Sequence, residues 1–439
     1  MSTVLEALKS TQNAHLHSEI VRHLPKVKDW FKEQRRGVDL PFYSSYDIRD
    51  SSHKVANVDA NIYPAGFNNI CPTDREMAPP LVRYYLDRHY AKNKSGGPVK
   101  KLMLITEEHT NNPYYWDNVF TLKEILNGAG VEVCVAIPRL ATERATMATA
   151  SGRQVEVVSA DVKNGEVHCS CFEPDLVVSN NDFSEFYEEW GPTLTTHLNP
   201  PRELGWWQRK KSNYFKHYND LSTEFANLIG VDPWMMTVET ELFEHFDMSD
   251  EASKAALAER TQKLIDRTRE QYKTRGINEE PIAFVKNNAG TYGLAVMRVA
   301  SGDDIMKLNN KARTKMKAAK GGRHVEEVII QEGIPSIVQA AGVTAEPTLY
   351  LFGCQLAGGF LRTHSEKGPT ESLNSPGAVY KRLCVSDLKI SVEEHPLENV
   401  YGWIARLGVL AIGRESAQMG VVYRGYDRAG TGGDSSCTL

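Results

Sequence analysis

The chain is short of several features that would point to particular protein classes. No apolar run approaches the roughly 20 residues of a membrane-spanning helix, so no membrane partner is expected. The first ten residues carry Glu6 and no apolar core, which argues against a secretory leader. The seven cysteines show no C-x-x-C spacing. Cys169 and Cys171 flank a single serine, a spacing of little use for zinc. Reduced thiols in a cytoplasmic protein are the expected reading. A basic excess is also missing: the net charge of −5 gives no reason to expect nucleic acid or an anionic surface as a partner. No internal repeat is visible. What remains is ordinary globular material, 41% apolar and 24% charged, and 439 residues leave room for two or three domains. Neither composition nor spacing sets an oligomeric state, so a homo-oligomer stays open.

Residues 1–38 read as a charged helical segment with an intermittent apolar stripe (Leu5, Leu8, Ile20, Val21, Leu24). Residues 39–71 are polar and loop-like. A helix is expected over 81–90, then a βαβ unit: strand Leu102–Ile105, helix Trp116–Leu126 and strand 131–136, with Gly128 and Gly130 closing the helix. A further strand, 175–178, ends in Asn180, Asn181 and Asp182. This makes 39–200 an α/β domain. Helices over 203–229 and 250–275 give a helical connection across 201–280. Residues 281–424 alternate strands at 282, 327–331, 348–352 and 356–361 with a terminal helix, 397–417, and read as mixed α+β. The Gly/Ser-rich tail 425–439 is expected to be disordered.

The stretch from Ile282 to Val296 carries the strongest local signal. Two apolar runs flank Lys286 and a small-residue loop, Gly290-Thr291-Tyr292-Gly293. That pattern reads as a β-hairpin whose turn can present backbone N–H groups and an ammonium to a polyphosphate. It is not the G-x-x-x-x-G-K-[ST] loop, because the lysine comes first. Lys307 to Arg323 holds seven Lys/Arg and no acid, and reads either as a solvated basic segment or as a lid bringing cations such as Lys315 to a phosphate. Strand 328–331 breaks at Gln331 and Glu332, where a free strand edge could pair with adenine and a carboxylate could accept from a ribose. A second hairpin, 346–362, delivers Arg362 and His364 beside Glu366, Glu371 and Asn374. Arginine suits a transferring phosphoryl group, and Glu371 with Asn374 suits a hard divalent cation.

That succession of lysine hairpin, basic lid, Gln-Glu strand end, arginine hairpin and Glu/Asn turn resembles the nucleotide half of the ATP-grasp carboxylate–amine ligases. Longer stretches narrow the resemblance. They are Val58–Asn69, Gly205–Ser212, Gly230–Trp234, the Lys286 hairpin, Gly358–His364 and Leu373–Gly377. Together they resemble the proteobacterial-type glutamate–cysteine ligase first known from an iron-oxidising bacterium, from about residue 40 to about 418. The resemblance implies an N-terminal α/β substrate-binding domain followed by an ATP-grasp-like nucleotide-binding half. It implies ATP and Mg²⁺ as cofactors, with Lys286 and Arg362 catalytic and Glu332 at an adenine hinge. It also implies that Gly290 to Gly293 cover the phosphates and that Glu371 and Asn374 hold Mg²⁺. Should Glu371 not hold the metal, Glu346 is the next candidate. The implied reaction phosphorylates the γ-carboxylate of glutamate and transfers the acyl group to the amine of cysteine. Three positions depart from the family: Asn288 stands where an Asp is usual, Thr370 where an acid is usual, and Leu361 where an aromatic is usual.

The amino-acid sites are expected in the N-terminal half. Asp59 and Asn61 suit an α-ammonium, Arg49 or Lys54 an α-carboxylate, and Asn68 and Asn69 offer further donors. His109 and Asn181 follow strand ends, where α/β sheets place ligand groups. Two other readings compete: a different ATP-grasp ligase, and a nucleotide-binding regulator that has lost catalysis.

Overall fold

The computed structural model describes residues 11–92, 96–108, 111–184, 187–206, 208–289, 296–308, 325–385, 389–392, 395–398 and 400–428. His109, the loop Gly290-Thr291-Tyr292-Gly293, the basic stretch with Lys315 and the tail beyond 428 lie outside the described residues. The fold is mixed α and β, built on three larger sheets.

The parallel sheet confirms the expected βαβ unit. Lys101–Ile105 lies between Glu132–Pro138 and Leu176–Ser179, all parallel. Alternate side chains serve opposite faces. Leu102 and Leu104 pack with Trp116 and Val119 of helix Pro113–Gly128, whereas Met103 and Ile105 pack with Phe183 and Trp190. Both faces are covered, which is why the strand reads as an unbroken apolar run. Gln154–Lys163 extends the sheet and pairs antiparallel with Arg144–Ala148; these strands, short of long apolar runs, were not among the expected elements.

The lysine hairpin also forms. Ile282–Asn287 pairs antiparallel with Val296–Val299 on one side and with Val328–Gly333 on the other. Thr240–Phe243 closes this four-stranded sheet. Helix Glu251–Thr274, opened by Asp250 capping the Ala252 and Ser253 N–H groups, packs Leu257, Leu264 and Ile265 onto Ala283, Val285 and Ile330.

The central sheet departs from the expected domain layout. Its strand order is Val379–Leu383, Gln355–Thr363, Val343–Phe352, Tyr43–Asp50, Val55–Asn61, antiparallel throughout. The region read as loop, 39–71, therefore supplies two strands, and the first of them, Tyr43–Asp50, pairs directly with the arginine hairpin. A boundary drawn between 39–200 and 281–424 runs through the middle of one sheet. Helix Val400–Gln418 lies beneath it and is buried on nearly every side. Gly408 makes this approach possible, since a Cβ there would stand 2.5 Å from the Tyr46 ring.

The expectation of reduced thiols is also corrected: Cys71 and Cys384 form a disulfide. They are 313 residues apart in sequence, so no local spacing could show the pairing.

Candidate active site

Strand Tyr43–Asp50 sorts its residues by face. Tyr46 and Ile48 join the apolar cluster beneath the sheet, so Ser45, Asp47 and Arg49 point into two clefts above it. Its neighbours repeat the pattern. Ala345 and Leu349 face the core while Glu346, Thr348 and Tyr350 face the clefts, and Leu361 lies below while Arg362 lies above. The site is thus a polar stripe laid across a sheet whose other face is apolar.

The first cleft lies between the central and four-stranded sheets. It is lined by Lys286, Gln331, Glu332 and Asp59, with Phe284 and Ile334 as apolar wall. The second, about 730 Å³, lies between the central and parallel sheets and is lined by Asn61, Asn68, Asn69, Asn118 and Arg362. Asp59, Lys211 and Asn374 line both. The two clefts therefore meet at these three side chains.

Lys286 is half-buried and donates to the Val58 carbonyl (3.0 Å) and to Gln331 Oε1 (2.6 Å). Burial lowers its pKa to about 8, with Asp59 opposing the shift. Asp59 is paired with Lys211. Burial raises its pKa, but Lys211 and then Lys286 outweigh burial and leave the carboxyl below the usual range.

Arg362 bridges two buried carboxylates, donating to Asp47 Oδ2 (2.8 Å) and Glu346 Oε1 (2.5 Å). Its Nε is buried without a hydrogen-bond partner among the described residues. Arg49 holds the other oxygen of Glu346 at 2.7 Å and donates to the carbonyls of Pro369 and Glu371. The two carboxylates split. Burial raises Asp47 despite Arg362, whereas Arg49 and Arg362 outweigh burial at Glu346 and hold it below the usual range.

Several expected site residues are placed differently. Lys54 does not face an amino-acid site: it is buried against Glu332 and lies over the Trp234 ring at 4.3 Å. Arg49 is committed to Glu346 and two carbonyls, so it shapes the site and presents no free guanidinium. Glu332 accepts from Lys54 and from the Glu239 N–H. Its strand is interior to the sheet, paired on both sides, so the free edge expected for adenine is absent at that point. Sequence cannot tell an edge strand from a central one. Asn181 is fully buried, bonded to the Thr106 carbonyl, Tyr187 and the Phe183 N–H, and its neighbour Asp182 lines the cleft instead. Glu371 turns back onto the Gly368 N–H (2.8 Å) and lines neither cleft. Both oxygens of Glu346 are held by arginines, which leaves it no free oxygen for a metal. Asn61, Asn68, Asn69, Gln331 and Asn374 do line the clefts.

Asp47, Lys211, Asn118 and Tyr350 were missed. Asp47 could have been found from the alternation of Tyr46 and Ile48 with polar neighbours. Asn118 accepts from the Gly66 and Phe67 N–H groups (2.9 and 3.0 Å) and so sets the loop carrying Asn68 and Asn69. Asn288 has a structural explanation. It donates to Glu327 (2.9 Å) and accepts from the Ser212 N–H (2.9 Å), tying the start of helix Lys211–Ile229 to the hairpin. An aspartate there would face the Glu327 carboxylate.

The family model "GshA: Glutamate-cysteine ligase" matches residues 17–416. A protein from Methylobacillus flagellatus KT, provisionally named γ-glutamylcysteine synthetase, has a crystal structure similar to this one. The TM-score is 0.79 at 30% identity, covering 93% of this chain and 97% of that chain. D-alanyl-alanine synthetase A from Vibrio cholerae O1 is 11% identical, with a TM-score of 0.27 over 73% of this chain and 81% of that chain, too low to carry an argument. No curated protein sequence matches the chain. The chain belongs to the GshA glutamate–cysteine ligase family. It is an ATP-dependent ligase that joins glutamate to cysteine, the step that opens glutathione biosynthesis. Among the described residues no helix is long and apolar enough to cross a membrane.

Proposed function

We propose that ATP occupies the cleft between the central and four-stranded sheets, in the manner of an ATP-grasp ligase, and that glutamate and cysteine occupy the larger cleft. The observation that carries this reading is that the clefts meet at Asp59, Lys211 and Asn374. A γ-phosphate entering from one side and a γ-carboxylate from the other would come together there. The carboxylate attacks the γ-phosphorus, the bond to the ADP oxygen breaks, and an acyl phosphate forms. The cysteine amine then attacks the acyl carbon and inorganic phosphate leaves. Little acid–base chemistry is required; positioning and charge neutralisation do the work.

The nucleotide cleft is narrow, about 70 Å³, well below the ~300 Å³ of a typical small-molecule site. ATP entry therefore parts the two sheets, and Lys286 exchanges the Val58 carbonyl for a phosphate oxygen. Arg362 faces the larger cleft and stabilises the charge developing on the transferred phosphoryl group. Asn61, Asn68 and Asn69 supply neutral donors and acceptors for the amino acids. The fit for Mg²⁺ rests on unsatisfied oxygen donors at the junction: the second oxygen of Asp59 and the side chains of Asn374 and Ser372 make no hydrogen bond among the described residues, and all line the nucleotide cleft. Asp59 and Asn374 would hold the ion, which supplies neutralisation of phosphate charge. The supply of ATP and both amino acids places the reaction in the cytoplasm.

ADP release measured against a panel of acids and amines tests the reading. Release that needs glutamate and cysteine together supports it; release with a different pair would assign another ligase. Asn374→Ala is expected to raise the Mg²⁺ concentration for half-maximal rate about tenfold, equivalent to about 1.4 kcal/mol, while Glu371→Gln leaves that titration unchanged. The reverse outcome would return the metal to Glu371.

A further inference from the structure

Three cysteines outside the catalytic clefts come together on the far face of the parallel sheet. Cys134 sits in the middle of strand Glu132–Pro138, opposite Met103 of the next strand. Cys169 ends strand Glu166–Cys169, and Cys171 follows in the turn after it. Their sulfurs all lie within 4.8 Å of one another, and Cys134 Sγ is 3.9 Å from Cys169 Sγ. Two thiols separated by one serine make a poor site alone. The third sulfur arrives from a strand 35 residues earlier, which the spacing could not show.

We propose that Cys134, Cys169 and Cys171 form a three-thiolate site for a soft, thiophilic metal ion. Metal–sulfur bonds of about 2.3 Å place the sulfurs around one ion about 3.8–4.0 Å apart, and the Cys134–Cys169 separation already has that value. Three sulfurs with no oxygen donor select soft ions, Cu⁺ or Zn²⁺ and its heavier relatives, over Mg²⁺. The burial gradient supplies an entry path: Cys134 is buried, Cys169 partly so, and Cys171 is exposed. Solvent reaches the Cys171 side, where water can complete a four-coordinate ion. None of the three cysteines lines either catalytic cleft, so the site is separate from the ligase chemistry.

Titration of the full-length protein with Cd²⁺ tests the site, read by sulfur-to-metal charge-transfer absorption and by thermal unfolding. The wild type is expected to take up one ion here and to unfold at higher temperature when it is bound. The double variant Cys169→Ser/Cys171→Ser should lose one equivalent of that absorption and the thermal shift. Cys171→Ser alone, at an exposed position, should weaken binding at least tenfold while retaining ligase activity. Because Cys71 and Cys384 also take metal if reduced, only the equivalent lost on mutation counts. Identical titrations of the wild type and the double variant would overturn the proposal. So would a Cys134–Cys169 disulfide, found by mass spectrometry, whose reduction brings no metal uptake.

Discussion

Lys286 stands between a carbonyl, an amide oxygen and a carboxylate, and its environment sets a pH limit on the enzyme. The free-enzyme ammonium loses its proton near pH 8 because burial costs the charge more than Asp59 returns. Only the protonated form can meet a phosphate. With ATP as the varied substrate, kcat/KM should therefore fall as pH rises through about 8, since that ratio reports free-enzyme ionisations. Lys286→Arg should move this limb to higher pH, because guanidinium stays charged; an unmoved limb would assign the ionisation to another group. Arg362 carries a different load. Removing it leaves Asp47 and Glu346 near each other without their shared cation, so Arg362→Met should destabilise the fold by about 3–5 kcal/mol. Arg362→Lys keeps a charge but cannot span both carboxylates. It should stay folded in a denaturant titration and lose about 10²–10³-fold in kcat. A Lys variant with wild-type turnover would remove Arg362 from the chemistry.

Among elements, those with apolar signatures were legible and those with polar ones were not. The βαβ unit and the lysine hairpin are announced by runs such as Leu102–Ile105 and Ile282–Val285, because strands covered on both faces need unbroken apolar sequence. Strand Tyr43–Asp50, Tyr-Ser-Ser-Tyr-Asp-Ile-Arg-Asp, reads as loop because one of its buried faces lines the two clefts with polar side chains. The polar residues that line the clefts hide it as a strand. Candidate site residues fared by the same logic. Lys286, Asn61, Asn68, Asn69 and Asn374 lie in family-like motifs and line the clefts, whereas Asp47 needs the fold to be seen. Charged residues such as Lys54 and Arg49 could not be told from ligands until their partners were known. At the loop 64–69, Gly66 has φ +106°, and a Cβ there would come 2.8 Å from the Tyr350 hydroxyl. Gly66→Ala should push the loop away from the central sheet and raise the KM of an amino-acid substrate several-fold with the KM for ATP unchanged. Unaltered amino-acid kinetics would take this loop out of the substrate cleft.

At the scale of the molecule, the candidate site belongs to no single stretch of chain. Asp47 meets Thr348 across 301 residues, and every strand next to Tyr43–Asp50 except Val55–Asn61 comes from beyond residue 342. A fragment ending before residue 343 should therefore lack hydrogen-exchange protection at 43–61, although the parallel sheet at 101–179 could still protect its own amides. Protection at 43–61 in such a fragment would show that the first hairpin stands alone. The same pairing gives the chain a long wait during synthesis. At about 5–20 residues per second, the second partner of strand Tyr43–Asp50 emerges about 15–60 s after the strand itself. An apolar strand left with an open edge for that time would invite pairing with other chains. This one carries two aspartates, two serines and an arginine, so Ser45, Asp47 and Arg49, which later line the clefts, also keep the waiting strand soluble.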